Sequence, residues 1–348
     1  LRDEEDIQFW LKCAAWALVV NAMVCLWDRY INHAHQVHAW FEHQNSLAMW
    51  SYMIGLPLLA AALGNISYQR MGLYLAGYVG CAIAVVFCLS RAAIASLALG
   101  SAIVVFLTLR DQVNPKRAFV IATLGLIGFV GLVPAVDTVI ERFTSKFNAE
   151  SEITRVMLNE SSRRMMAKYP VLGTGWNTYG VMINPPYDYG NPFDDYELSR
   201  GYKVDVKRMR SRPISESWYY LMLAETGVLG TAGCFLFFLV TLFWCARIIF
   251  RYRQTFRAVV AIGLLAGLGM NYLHSNLERT LTQPKNLVTW MICLGVVARL
   301  EWWRRQEALQ RARAPVERQP AAAAPILPAP TGSIFIPPPG PHIKPRIS

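Results

Sequence analysis

Charge is scarce in this chain. Only 16% of its 348 residues are Asp, Glu, Lys or Arg, whereas 54% are hydrophobic and 11 are tryptophan. An average soluble domain carries about 25% charged residues. The composition therefore excludes an ordinary soluble domain and predicts an all-α integral membrane protein that crosses the bilayer several times.

Motifs for disulfides, metals and nucleotides are also missing from the sequence. The seven cysteines all lie in apolar segments, and none forms a Cys-x-x-Cys pair, so neither disulfides nor zinc are expected. The histidines within residues 28–45 do not combine with carboxylates in a metal-binding spacing. The sequence has no P-loop. We therefore expect neither a metal nor another cofactor.

About eight membrane-spanning helices are predicted, since each crossing requires roughly 20 apolar residues. The spans are 8–27, 46–64, 71–89, 92–109, 118–136, 217–244, 258–275 and 286–300. Ser90 and Arg91 alone join the third span to the fourth, which predicts a tight helical hairpin.

These spans divide the chain into four regions. Residues 1–136 are N-terminal transmembrane helices, 137–216 a long loop, 217–300 C-terminal transmembrane helices and 301–348 a tail that is rich in Pro and Ala and predicted to be disordered. The sequence begins at Leu1 rather than Met, and we expect part of the N-terminal region to be missing.

The basic residues indicate the orientation in the membrane. The chain has 34 Lys and Arg against 23 Asp and Glu, a net charge of +11. Most of the basic residues flank spans on one face, with clusters at 110–117, 247–257 and 299–313. The positive-inside rule makes this face cytoplasmic and the loop 137–216 extracytoplasmic. Because the rule already explains the positive charge, nucleic acid is not expected as a partner.

Four stretches next to predicted spans carry residues suited to chemistry. They are FEHQNSLAMW (41–50), LSRAAIASLALG (89–100), TRVMLNESSRRMMAKYPVLGTGWNTY (154–179) and ESWYYLMLAETGVLG (216–230). In the third stretch, Arg155 is followed fifteen residues later by Pro170 and then by Gly173 and Gly175. The predicted topology places all four on the extracytoplasmic side.

Together these stretches resemble the O-antigen ligase and polymerase family of bacterial envelope glycosyltransferases, and they occur in the family's order. The resemblance covers roughly residues 40–300. It implies a GT-C-like helical fold with one long extracytoplasmic loop, located in the bacterial inner membrane with the active site facing the periplasm. It also implies transfer of a glycan from an undecaprenyl-pyrophosphate carrier to lipid A core or to a growing polysaccharide.

The sequence departs from the family at one position where chemistry is expected. The fourth motif usually opens with His-Asn, and Glu216-Ser217 stand there instead. In the family, that histidine is the candidate base for the acceptor hydroxyl. Three alternatives follow. Glu216 could take the role of the base, another residue such as His274 could supply it, or the chemistry could be altered. An ordinary acidic residue at a helix start is the structural alternative for Glu216.

Arg91 and Arg155 match family positions and would hold the pyrophosphate through paired, charge-assisted hydrogen bonds. The structural alternatives are a guanidinium that reaches the lipid headgroups for Arg91 and a solvated charge for Arg155. The resemblance also suggests that His43 and Asn45 line the site. Two further substrate contacts are predicted at Gly173 and Gly175, which permit close backbone approach or simply end a helix.

Two other functions remain open. The chain could be a transporter or flippase for a lipid-linked glycan, with the same arginines along the path, although broken helices or internal repeats are not evident in the sequence. It could also be an inactive scaffold in envelope assembly, since the family histidine is replaced. The expected partners in each case are membrane lipids and lipid-linked saccharides.

Overall fold

The computed structural model describes residues 1–64, 68–109, 118–122, 147–191, 213–253 and 255–313, together with Asp195 and Ser199. Residues 1–304 form one unit and residues 305–348 another, of which 305–313 are described. The described secondary structure is helical, without strands. The helices are α1 (Glu4–Tyr30), α2 (Gln44–Leu63), α3 (Tyr68–Phe87), α4 (Arg91–Leu109), α5 (Phe147–Lys168), α6 (Tyr179–Met182), α7 (Trp218–Arg251), α8 (Phe256–His274) and α9 (Pro284–Arg313).

Six of the described helices, α1 to α4, α7 and α8, are long and apolar enough to cross a membrane. They coincide with six of the predicted spans, and the predicted all-α integral membrane fold is confirmed. Most of the predicted span 118–136 lies outside the described residues. The last predicted span falls within α9, which is helical but is not one of those six. Residues 301–313, predicted to be part of a disordered tail, are helical; 314–348 lie outside the described residues.

The centre of the bundle is α2, which is almost entirely buried and packs against α8. Two glycines allow these antiparallel helices to approach closely. A Cβ atom on Gly263 would lie 2.3 Å from Cα of Pro57, and one on Gly267 would lie 2.6 Å from the carbonyl oxygen of Met53. The glycines of the GLLAG segment (263–267) thus allow close packing of these two helices.

The connection between α3 and α4 is short, as predicted, and Leu89 takes a positive φ of 51° within it. However, α4 packs mainly against α2 and α8 rather than against α3. A Cβ atom on Gly100 would lie 2.5 Å from Leu56, and the side chain of Tyr52 is hydrogen-bonded to Ser96. Because both residue numbers increase together, α4 and α2 run in parallel at this level. Counting back nine residues along both helices places Arg91 level with Leu47.

The starts of α2, α4 and α7 and the end of α8 therefore lie together at one end of the bundle, which we call the site end. The hydroxyl of Tyr52 lies 3.0 Å from Nδ1 of His274, and the amide of Trp218 donates to the carbonyl oxygen of Ser275 at 3.0 Å. These contacts fix the start of α7 beside the end of α8.

The backbone of α7 reverses direction at Gly227, whose φ of 63° and ψ of −166° are not helical. The rings of Tyr219 and Phe235 stack with centroids 4.8 Å apart. A continuous helix would hold these residues about 24 Å apart. Residues 218–226 thus fold back on the start of 228–251, and we call this pair of segments the α7 hairpin. Most of the predicted span 217–244 thus corresponds to residues 228–251, because residues 218–226 form the short arm of the hairpin.

Candidate active site

Arg155 lies between two carboxylates at the site end. Its Nε atom is 2.5 Å from Oε2 of Glu216, and one of its terminal nitrogens is 2.9 Å from Oε1 of Glu278. The same Glu278 oxygen accepts a hydrogen bond from the side-chain amide of Asn45. Three residues from different predicted motifs, Arg155, Glu216 and Asn45, are thus joined through a fourth that was not predicted.

Each member of this cluster is positioned by a different element. Arg155 projects from α5, and Glu216 comes directly before the N-cap of α7, which is Ser217. Glu278 lies in the turn after α8, where its amide donates to the carbonyl oxygen of His274 at 3.2 Å. Asn45 is in the first turn of α2. The cluster therefore connects α2, α5, α7 and the end of α8 through two ion pairs and a hydrogen bond.

The two carboxylates have different environments. The side chain of Glu216 is 40% exposed and that of Glu278 only 9%. Burial raises the pKa of Glu278 from 4.5 to about 7, despite the opposing effect of Arg155, and the charge of Glu216 raises it further. Close to neutral pH, Glu278 is therefore divided between the neutral acid and the carboxylate.

His43 is the N-cap of α2, and its Nδ1 atom accepts the amide hydrogen of Asn45 at 3.3 Å. Partial burial lowers the pKa of His43, and the charges of Arg155 and Arg279 lower it further, whereas Glu216 acts in the opposite direction. His43 is consequently neutral at pH 7, and its ring lies close enough to the cluster to be affected by the charges of Arg155 and Glu216.

The two glycine-containing motifs bind each other. The amides of Thr174 and Gly175 donate to the carbonyl oxygens of Ala224 and Glu225 at 2.9 Å. Gly173 has a φ of 69°, and a Cβ atom there would lie 2.3 Å from the carbonyl carbon of Glu225. A Cβ atom on Gly227 would lie 2.4 Å from the carbonyl oxygen of Val171. The loop that follows α5 is therefore hydrogen-bonded to the bend of the α7 hairpin, and we call this contact between residues 171–175 and 224–227 the clip.

Glu225 completes this clip from the side of the hairpin. Its carboxylate accepts the backbone amides of Asn177 and Tyr179, each at 3.0 Å, at the start of α6. Glu225 therefore caps the start of α6 by accepting two backbone amides. Gly173 and Gly175, which were predicted to contact substrate, have contacts that secure the loop of the clip.

A cavity of about 680 Å³ lies beside the cluster, between the α7 hairpin and the start of α9. Its lining is mostly apolar and aromatic, and Arg279 adds a positive charge to it. The main lining residues are Trp176, Trp218, Leu221, Phe237, Phe238 and Trp290. Because the charge of Arg279 also acts on Glu278 and His43, this hairpin cavity opens next to the charged cluster.

The two remaining predicted residues lie at the same end of the bundle. Arg91 is the first residue of α4, level with the first turn of α2. His274 is 3% exposed, and its Nε2 atom has no hydrogen-bond partner within the described part of the chain. Its contact with Tyr52 holds it beneath the cluster rather than at its surface.

Sequence reasoning missed Glu278 and overlooked the contribution of Arg279. Both lie in the short connection between α8 and α9, which matched no family motif. The signal in the sequence was the adjacent pair Glu278-Arg279 in a short loop between two apolar segments. Charged residues there are costly to bury unless they have partners, so they indicate a charged site.

The fold and the site define a multi-pass, all-helical membrane protein with a charged cluster and an adjoining apolar cavity at one end. Residues 76–235 match the O-antigen ligase family, and the resemblance predicted from the four motifs is confirmed. The match supports a membrane glycosyltransferase of the O-antigen ligase and polymerase kind. It includes Arg91, Arg155 and Glu216, whereas Asn45 and Glu278 lie outside it. Among curated proteins, none matches this chain.

Proposed function

We propose that the protein transfers a glycan from an undecaprenyl-pyrophosphate carrier to an acceptor, either lipid A core or the end of a growing polysaccharide, at the periplasmic face of the inner membrane. The observation that carries this proposal is the contact of Arg155 with Glu216 and Glu278 next to the hairpin cavity. A cation beside an apolar cavity has the chemistry needed to hold a lipid pyrophosphate.

The division of labour follows from the geometry. The apolar and aromatic lining of the hairpin cavity suits the first isoprene units of the carrier. Arg279 lines the cavity, and Arg155 contacts the adjacent Glu278, so both would hold the pyrophosphate beside the cavity, with Arg91 as a third positive charge at the same end of the bundle. Pyrophosphate would replace the exposed carboxylate of Glu216 as a partner of Arg155, which leaves that carboxylate available for chemistry.

The reaction is a single displacement at the anomeric carbon. Glu216 accepts the proton of the acceptor hydroxyl while the oxygen of that hydroxyl forms a bond to the anomeric carbon. The bond from that carbon to the phosphate oxygen breaks, and its electron pair leaves with the carrier pyrophosphate. The arginines stabilise this developing negative charge. The product is inverted at the anomeric carbon, and no ATP is consumed.

Transfer is tested with purified protein, a radiolabelled carrier-linked glycan and an acceptor. Arg155→Ala and Arg91→Ala are expected to weaken donor binding and to lower transfer by at least about 100-fold. Glu216→Gln is expected to retain donor binding and to lose transfer. Arg164→Ala is a matched control, since Arg164 is an exposed arginine on α5 paired with Glu160.

The controls separate this proposal from its alternatives. Transfer that survives both arginine substitutions would remove the proposed site. If Glu216→Gln retains transfer while Glu278→Gln or His43→Gln loses it, the base is Glu278 or His43, whichever substitution abolishes transfer. Movement of carrier-linked glycan across a liposome without transfer would favour a flippase, and the absence of both activities would favour a scaffold.

A further inference from the structure

A second apolar cavity lies on the other side of α9. It measures about 670 Å³ and is formed by α1, α2, the 40–41 turn and the first turns of α9; we call it the α1–α9 groove. Its walls include the exposed side chains of Trp16, Val20, Trp40 and Val288. Exposed aromatic and aliphatic walls on membrane-spanning helices are suited to a hydrocarbon chain.

The mouth of the groove carries a positive charge. Lys285 is exposed at the start of α9, donates a hydrogen bond to the carbonyl oxygen of Trp40 and lies 5.2 Å from the centre of the Phe41 ring. An ammonium group has three donors, so the contact with Trp40 leaves others for a ligand. A cation at the membrane-surface end of a hydrocarbon groove complements a phosphorylated headgroup.

The wall of the groove contains a polar group that no atom of the described residues satisfies. Asn21 lines the groove and is 2% exposed, and its Oδ1 atom has no hydrogen-bond partner within the described residues. Its Nδ2 atom has only a long contact of 3.9 Å with the sulfur of Cys25. A buried amide without partners is costly. A hydroxyl or amide N–H on a bound chain would satisfy it, whereas a polyprenyl chain has no such donor.

The two cavities share α9 as a common wall. Leu287, Trp290 and Met291 face the hairpin cavity, while Lys285, Val288 and Thr289 face the α1–α9 groove. Both cavities open at the site end, near the turn that carries Glu278. A reaction between two lipid-anchored substrates requires two such places, one for each chain.

We infer that the α1–α9 groove binds the acceptor, as a phosphorylated glycolipid whose acyl chain carries a hydroxyl or an amide N–H. Lys285 contacts the phosphate, and Asn21 accepts the hydrogen bond from the chain. The inference rests on the proposed transfer reaction and deepens it, because it makes the acceptor an acylated lipid rather than a second polyprenyl-linked glycan.

Equilibrium binding tests the inference independently of transfer. The protein is placed in phosphatidylcholine nanodiscs and titrated with labelled lipid A core, with an analogue that lacks the acyl hydroxyls, or with undecaprenyl-pyrophosphate glycan. Ala17→Phe fills the groove and is expected to weaken binding of lipid A core by at least about tenfold. Binding of the prenyl-linked glycan in the hairpin cavity is expected to remain unchanged. Met23→Phe, an exposed residue of α1 that does not line the groove, is the matched control.

Two polar substitutions test the individual contacts. Lys285→Met is expected to weaken binding of lipid A core about fivefold, and Lys168→Met, on α5, serves as its control. Asn21→Leu is expected to remove a preference of about fivefold for the hydroxylated lipid over its analogue. Since both lipids are compared on the same variant, a general loss of folding does not produce this result.

Several results would overturn the inference. In the first, Ala17→Phe binds lipid A core as tightly as the wild type does. In the second, phosphatidylglycerol displaces lipid A core as effectively as unlabelled lipid A core does. In the third, Ala17→Phe loses binding of the prenyl-linked glycan instead of lipid A core. The proposed function fails separately. If wild-type protein transfers no glycan while lipid A core still binds in a manner that depends on Ala17 and Lys285, the reaction is refuted and the lipid site is retained.

Discussion

A terminal guanidinium nitrogen of Arg155 lies 2.9 Å from Oε1 of Glu278, a carboxylate that is almost completely buried. The partner on the other side of the guanidinium, Glu216, is much more exposed. Arg155 thus has one internal partner that stays in place and one at the surface that a ligand can replace. This asymmetry determines how the site should respond to pH and to substitution.

Donor binding is expected to weaken as the pH rises. The pKa of Glu278 is about 7, so raising the pH from about 6 to about 8 converts it to a carboxylate that competes with pyrophosphate for Arg155. We expect the affinity for carrier pyrophosphate to fall by about tenfold over this range. Binding is measured at fixed ionic strength. Glu278→Gln should bind with an affinity that is nearly independent of pH, and an unchanged pH dependence in this variant would exclude Glu278 as its cause.

Stability should also depend on Glu278. Its pKa is raised from 4.5 to about 7 in the folded protein, so the folded state retains a proton that the unfolded state releases. Stability from this group is present below about pH 4.5 and declines as the pH rises through about 7. Glu278→Gln should therefore raise the Tm by a few degrees more at about pH 8 than at about pH 5. A melting curve in detergent at each pH gives the comparison, with Glu160→Gln, an exposed carboxylate, as control.

Gly173→Ala should unfold the clip between the loop after α5 and the α7 hairpin. The new methyl group would meet the backbone of Glu225 at 2.3 Å, on a residue with a φ of 69°. The expected loss of stability is about 2–4 kcal/mol. Gly295→Ala is the control, because a Cβ atom there has no neighbour within 4 Å. Equal melting temperatures for the two variants would contradict the close contact.

Glu225→Gln should loosen the start of α6. The variant loses the charge that strengthens two hydrogen bonds from the amides of Asn177 and Tyr179. Faster hydrogen exchange is expected at both amides, together with a loss of about 1–2 kcal/mol. Exchange measured by mass spectrometry locates the effect. Were protection at these amides to remain at the wild-type level, the carboxylate would not be what holds α6.

The sequence predicted the helices and three of the four cluster residues because both leave local signals. Long apolar runs identified six described spans, and the motifs singled out Arg155, Glu216 and Asn45. Glu278 was missed because its importance comes from burial between α2 and α5, which no local pattern reveals. The α7 hairpin was also missed, since Trp218 and Phe238 lie in one long, mostly apolar stretch, and the chain reverses only through the positive φ of Gly227, which follows Glu225 and Thr226.

The clip at Gly173 and Gly227 gives α5 a mechanical role. α5 carries Arg155, and the loop directly after it is bonded to the bend of the α7 hairpin, which roofs the hairpin cavity. A tilt of α5 must therefore displace the guanidinium and the cavity roof together. In the proposed reaction, binding of the headgroup at Arg155 and enclosure of the carrier chain by the α7 hairpin are therefore mechanically coupled through α5.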